Sequence, residues 1–343
     1  MVGLLLSLVI GGGDGVGAVG LPLGMMELAG GGRLTGWLEG LDETSVWVRL
    51  PEGGSIGVDR AVVGKLILED REVIGPGDTQ RDVVARRSGD RLYGRIVGGD
   101  RNGLRMAWEG GSALELRWEE LAWVELRRGE ARAVAVEGRW VRAEFEPFEE
   151  IPGRGPDRVE GVLRAADRGE VVIDVPYLGR LTVARSRLRQ LEELGSVRRL
   201  VVDPHAHHLG DRDVPDLDPV AAESDWLERR FELDAVPTGP AWLTADVVQL
   251  VGMEAPMPLA ALVRQGQLRT AVWLNGVRLA DLNTALKRGG DQWQRIRLSI
   301  PEGVLRTEGN RLRLEQQGTR DEPARRDNFG MRNLALEWPA EAP

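Results

Sequence analysis

The chain contains no cysteine, and that absence removes disulfides, thiolate metal sites and cysteine nucleophiles together. Histidine is nearly as scarce: His205, His207 and His208 are the only three in 343 residues. Any histidine-based metal or acid–base centre must therefore be built from that one stretch. Lysine occurs only at Lys65 and Lys287, so the cationic residues are almost all arginine. The balance is acidic, with a formal net charge of -9, which argues against nucleic acid or an anionic membrane surface as the default partner. Long apolar runs are missing too. The run Val2–Ile10 is too short to span a bilayer, and no other segment approaches the roughly 18 apolar residues of a membrane helix. A glycine-rich stretch with small residues at Ala18 and Gly20 follows that run. This is the layout of a signal-peptide core and cleavage site, although no Lys or Arg precedes it and Asp14 follows it. Residues 1–20 are expected to be a signal peptide, and the protein to be exported to the periplasm or cell surface.

What is present suits a chain of many turns. There are 45 glycines and 18 prolines, with 42% hydrophobic and 29% charged residues, so globular rather than disordered organisation is expected. The length suggests two to four domains.

Three segments align without a gap. They begin Arg33-Leu-Thr-Gly36, Arg91-Leu-Tyr-Gly94 and Arg158-Val-Glu-Gly161. Nine residues after each Arg stands an acidic turn residue, Asp42, Asp100 or Asp167. Apolar pairs then recur at common offsets: Val46/Val48, Leu104/Met106 and Val171/Ile173, and later Ile56/Val58, Leu114/Leu116 and Leu181/Val183. Apolar residues two apart on short segments broken by Gly and Asp predict half-buried strands. The tips at Gly53-Gly54 and Gly110-Gly111 supply the backbone freedom of tight hairpins. Each unit is too small to keep an open edge and a useful core, so it should curl or pair with its neighbours. Both Leu104 and Leu114 should be buried. Trp47, Trp108, Trp118 and Trp123 fall in or beside the strands, where packing is the expected fate.

The pattern from Gly89 to Gly94, followed by a strand, a turn and an apolar hairpin, resembles Sm-like and SH3-like small barrels. That resemblance implies barrel repeats over 21–70, 71–128 and 129–195. Some Sm-like barrels bind RNA, which makes a nucleic-acid-binding protein one alternative. Against it, the arginines of residues 88–128 are matched one for one by Asp and Glu, leaving little with which to neutralise phosphate.

The segment 196–219 reads as a His- and Asp-rich linker. Val202-Asp-Pro-His205-Ala-His207-His208 resembles the metal motif of amidohydrolases, and a metal-dependent hydrolase using His205–Asp213 is the second alternative. Such families need further ligands from distant segments, and no other histidine exists. No metal site, cofactor or catalytic residue is therefore assigned.

From 220 to 340 the strand pattern is plain, with Asn275-Gly276 between apolar runs as the clearest hairpin signal. Six or more such strands predict a β-sandwich. Trp226…Phe231, Trp273-Leu-Asn-Gly276 and Asp327-Asn-Phe…Asn333-Leu-Ala-Leu336 resemble the galactose-binding-like jelly rolls, which implies a carbohydrate-binding accessory fold. Trp226, Trp273 and Trp338 lie on strand signatures and should be core. Trp242 follows Pro237-Thr-Gly-Pro240 and Trp293 follows Gly289-Gly-Asp291. Both begin strands at loop ends, so they are the candidate stacking platforms.

The expectation is an all-β protein of three small barrel-like repeats and a C-terminal jelly roll. Its expected role is non-catalytic binding or scaffolding, with a carbohydrate or an envelope protein as partner and no nucleic acid or membrane span.

Overall fold

A computed structural model describes residues 21–340, apart from 51–52, 69–80, 109–112, 128, 130, 132, 148–154, 218 and 319–325. The expected leader, the Gly110-Gly111 tip and Asp218 lie outside the described residues. The protein is all-β: two antiparallel sheets carry the fold, and the only α-helices among the described residues are Leu259–Arg264 and Leu282–Ala285. No helix among the described residues is long and apolar enough to cross a membrane.

The first stretch contains β1 (Leu23–Leu28), β2 (Arg33–Leu41), β3 (Ser45–Arg49), β4 (Ser55–Asp59) and β5 (Val63–Ile67). Strand β1 pairs with β2 and with β5, while β2 pairs with β3 and β3 with β4. The next stretch runs through β6 (Asp82–Arg86), β7 (Arg91–Asp100), β8 (Gly103–Ala107), β9 (Ala113–Arg117) and β10 (Leu121–Glu125) and pairs in the same order. So does the third, with β11 (Val134–Phe145), β12 (Asp157–Ala166), β13 (Glu170–Val175), β14 (Gly179–Ala184) and β15 (Leu188–Asp203). A 3-10 turn separates the last two strands each time, at Arg60–Val62, Trp118–Glu120 and Arg185–Arg187.

The aligned residues act alike. A Cβ on Gly36 would lie 2.7 Å from the Arg49 carbonyl oxygen, and one on Gly94 or Gly161 would lie 2.5 Å from that of Ala107 or Asp174. Only glycine lets the strand bend this closely over its partner. A β-bulge follows at Leu38/Gly40, Ile96/Gly98 and Leu163/Ala165, and it sharpens the local twist. Each acidic turn residue then accepts backbone N–H bonds: Asp42 from Thr44 and Ser45, Asp100 from Asn102, Asp167 from Gly169 and Glu170.

Within these three stretches burial departs from the sequence pattern in four places. Val46, Leu104 and Val171 are buried, and so are Val58, Leu116 and Val183. Ile56 is only half-buried and Leu114 is 38% exposed, on β4 and β9, each of which pairs on one side only, although their partners Val48 and Met106 are buried. Trp118 and Trp123 are buried as expected, whereas Trp47 and Trp108 are exposed. The stretches do not keep separate cores: one apolar cluster runs from Met26 to Val183. Strands β5 and β10 pair directly through Val124 opposite Leu66. Arg60, on the first 3-10 turn, donates to the Asp42 and Ile96 carbonyls and to the fully buried Asp82 carboxylate of β6.

Strand β15 is 16 residues long and leads out of the third stretch. Its last residues pair on one side with the start of β11 and on the other with β23 (Phe329–Pro339). Next to it lies β16 (His207–Leu209), also on β23. β23 pairs in turn with β18 (Ala241–Val248), and β18 with β21 (Gln294–Ile300). A second sheet orders β17 (Trp226–Phe231), β22 (Asn310–Gln317), β19 (Arg269–Leu274) and β20 (Val277–Asp281). A second apolar cluster, from Leu200 to Trp338, fills the space between the sheets. Asn275 and Gly276 both take positive φ, 52° and 82°, as a tight hairpin requires. Trp338 is buried and Trp273 half-buried, but Trp226 is 50% exposed because β17 is an edge strand and Trp226 begins it.

Candidate functional site

A cavity of about 240 Å³ opens where the first stretch, the third stretch and the sandwich meet. The first contributes the glycine turn Gly30–Gly32 between β1 and β2; the third contributes Trp140 and Arg142 on β11 and Arg158 and Glu160 on β12. Arg199 on β15 borders it, as do Asp246 on β18, Trp293 and Arg295 at the start of β21, and Arg332 and Asn333 on β23. Five arginines thus face two carboxylates across the lining.

Strand periodicity explains the convergence. On β18, Leu243, Ala245 and Val247 fill the sandwich, so Trp242, Thr244 and Asp246 face the opposite way. On β21, Ile296, Leu298 and Ile300 point inward and place Arg295 and Arg297 beside them on the outer face. The third stretch packs over that face, and residues that alternation alone marks as solvated become enclosed.

Glu160 is the hub. Its Oε1 accepts from Arg142 Nε at 3.0 Å and Nη2 at 2.6 Å; its Oε2 accepts from Arg199 Nη1 at 3.2 Å and Arg295 Nη2 at 3.0 Å. Burial alone pushes this carboxyl up, but Arg295, Arg199 and Arg142 outweigh it and hold Glu160 at about 2. Arg295 also donates from Nε to Asp246 Oδ1 at 2.8 Å. Burial disfavours its charge, yet Glu160 and Asp246 raise its pKa. Asn333, at φ 56°, donates from Nδ2 to Asp246 Oδ2 and to the Gly30 carbonyl, each at 2.8 Å. That bond ties the glycine turn to the sandwich.

Arg332 stands apart. Its guanidinium lies 4.0 Å from the centroid of the Trp293 ring, and among the described residues it has no hydrogen bond or ion pair; its Nε is buried without an acceptor. Burial is the main reason that its pKa is lowered, and Arg158 and Arg142 add to this against Asp246 and Glu160. Gly31, at φ 79°, leaves it room: a Cβ there would lie 2.1 Å from Arg332 Nη1.

No known protein family matches this chain, and no curated protein does. Among solved structures, a β-porphyranase of glycoside hydrolase family 86 from the human gut bacterium Bacteroides plebeius matches over 72% of this chain and 39% of its own, at 9% identity and a TM-score of 0.22. A cyclase from Fischerella sp. TAU matches over 61% and 90%, at 13% identity and a TM-score of 0.21. An infectious bursal disease virus structure, Gx strain, matches over 81% and 70%, at 10% identity and 0.21. At these scores the likenesses identify neither a family nor an activity. The chain spans well under half the length of the porphyranase.

The two candidate tryptophans fall in different places. Trp293 lines the cavity. Trp242 lies opposite Ser299 at the far end of the β18–β21 ladder, with Arg297 stacked 3.7 Å from its ring centroid. Six strand residues, about 20 Å, separate the two positions, so they do not form one platform.

The histidines make a fastening. Asp203 Oδ1 accepts from the His205 backbone N–H at 2.9 Å and faces its Nδ1, while His205 Nε2 reaches the Ala61 carbonyl at 2.7 Å. His207 lies between Glu223 Oε2 at 2.7 Å and Asp203 Oδ2 at 2.9 Å, and Arg229 Nε also donates to Asp203 Oδ2. Burial disfavours the charged ring of His207, but the two carboxylates raise its pKa. Burial likewise pushes Asp203 up, and His205, His207 and Arg229 more than reverse it, holding Asp203 well below the usual carboxylate range. Asp211 instead bonds Asn328 and the Arg326 backbone. Among the described residues no three His, Asp or Glu side chains are placed to hold a metal.

Glu160, Arg142, Arg199, Arg295 and Arg332 were not selected by sequence reasoning. The available signal was Trp293-x-Arg295-x-Arg297, an indole and two cations on one strand face.

Proposed function

We propose that this is an exported, non-catalytic binding protein, in which three tandem small barrels of the Sm-like or SH3-like kind and a galactose-binding-like sandwich hold a ligand at their junction. The observation that carries the reading is the cavity itself, which three separate parts of the chain enclose and which Trp293 and Trp140 border. Concave sites lined by aromatic rings with a few convergent polar groups are the usual form of small-molecule pockets. At about 240 Å³ the space is close to the small end of the usual range of roughly 300–1,000 Å³. It suits one sugar ring, or the terminal ring of an envelope glycan, better than a macromolecular surface. The acidic net charge and the pairing of most junction arginines speak against nucleic acid.

A glycan array with the full chain tests this. Binding to a defined saccharide, reduced at least tenfold by Trp293→Ala and unchanged by Trp242→Ala, is expected. No binding to any glycan would move the reading to protein scaffolding. Uncleaved protein, retained inside the cell and still carrying Val2–Ile10, would remove export.

A further inference from the structure

The cavity has an excess of donors. Two buried side-chain nitrogens on its border have no hydrogen-bond acceptor, Trp140 Nε1 and Arg332 Nε, while the equally unbonded Arg199 Nε lies 3.6 Å from the Glu337 carboxylate. The two carboxylates of the lining are already engaged, Glu160 by three guanidinia and Asp246 by Arg295 and Asn333. Arg332 is half-buried with its Nε buried and unpaired, and a guanidinium cannot discard its proton, so a charge held there without an acceptor calls for a partner. The glycine turn packs directly on this guanidinium, since a Cβ at Gly31 would lie 2.1 Å from Arg332 Nη1.

We propose that Arg332 anchors an oxyanion of the ligand, so that the molecule bound at the junction is acidic rather than neutral. This rests on the junction cavity being the binding site. A group that only accepts hydrogen bonds satisfies the orphan donors, whereas one that must also donate finds the lining carboxylates already taken. The planar fork of Arg332 matches a carboxylate or sulfate in two parallel bonds. The Trp293 ring backs the guanidinium on one side, 4.0 Å from its central carbon. If the ligand is a saccharide, the anchored group is the carboxylate of a uronic acid or a sulfate ester.

Calorimetric titration and thermal unfolding of the full chain test the proposal with four probes: galacturonate, its neutral methyl ester, galactose and galactose 6-sulfate. Galacturonate or the sulfated sugar should bind, with the two neutral sugars roughly tenfold weaker or worse. Preference between the first two tells carboxylate from sulfate. Arg332→Met should abolish the response to the acidic probes while its own unfolding temperature stays level or rises, because a half-buried charge without an ion pair has been removed. Arg332→Lys, which keeps the charge but not the fork, should fall between. A role confined to structure would lower the unfolding temperature instead. Equal binding of galactose and galacturonate, or full anion affinity in Arg332→Met, would overturn the anchor and leave the saccharide reading standing. If only inorganic sulfate or acetate stabilises the protein, and does so through Arg332, the anchor holds and the saccharide reading fails. If no probe is bound, both are overturned.

Discussion

Replacing Glu160 by Gln removes the one carboxylate shared by three arginines without changing the side chain's shape. Moving this carboxyl from its ordinary 4.5 to about 2 corresponds to about 3 kcal/mol of folded-state stability at neutral pH. Removing one member of a buried ion pair independently suggests about 3–5 kcal/mol, because the remaining charges stay buried. The lower figure is favoured here, since Arg142 keeps Glu192 and Arg295 keeps Asp246. The sign follows from the depressed value. Stability from Glu160 is complete above 4.5 and is lost as pH falls through about 2. At pH 3 about half should remain. Urea unfolding of wild type and Glu160→Gln should therefore differ by about 3 kcal/mol at pH 7 and by about 1.5 kcal/mol at pH 3. A difference below about 1 kcal/mol at pH 7, or one that does not shrink in acid, would refute the account of Glu160 as a charge hub.

The same physics applies at two other buried pairs. Arg60→Met leaves Asp82 fully buried with its backbone donors but without its cation. It should cost about 3–5 kcal/mol in urea unfolding, and Arg60→Met with Asp82→Asn, which removes the charge but keeps an oxygen for a backbone N–H, should recover part of that. His207→Gln tests the histidine fastening. Stability from the imidazolium is complete below its ordinary 6.5 and is lost as pH rises through the raised folded value. The wild-type advantage over the variant should accordingly be largest near pH 6 and decline in alkaline buffer, and an advantage that grew with pH would contradict the assigned charge.

Local rules made much of the fold readable. Gly36, Gly94 and Gly161 each sit under a partner carbonyl, and Asp42, Asp100 and Asp167 each close a turn with their own carboxylate. Such constraints act between residues close in sequence and leave a residue-type signature. Asn275-Gly276 is equally local. Exposure at Trp108 and Trp226 was not readable, because a strand's end and its middle share one alternation while only the middle is covered; Trp47 lies on the outer face of β3 between buried Val46 and Val48, and Leu114 on the edge strand β9. The shared core was also hidden. Alternation shows which face is buried, not whether the covering residues belong to the same unit or the next.

The candidate site was hidden for a further reason, which bears on why it lies where it does. Glu160 and Arg295 are 135 positions apart, and each stands on a strand whose charged face reads as solvent-exposed. They meet because β15 leaves the third stretch without a break and becomes part of the sandwich sheet, between β11 and β23. A continuous ladder fixes the two faces far better than a flexible linker would. Two polar sheet faces held together in this way must either neutralise one another or take up something that does. Glu160, Asp246 and Asn333 provide the first for most of the arginines. Among the described residues of the lining, Arg332 is the arginine without an ion pair, against an indole and beneath a glycine turn. Pairing within the chain makes the junction rigid, and the Arg332 guanidinium gives that rigid junction its chemical preference.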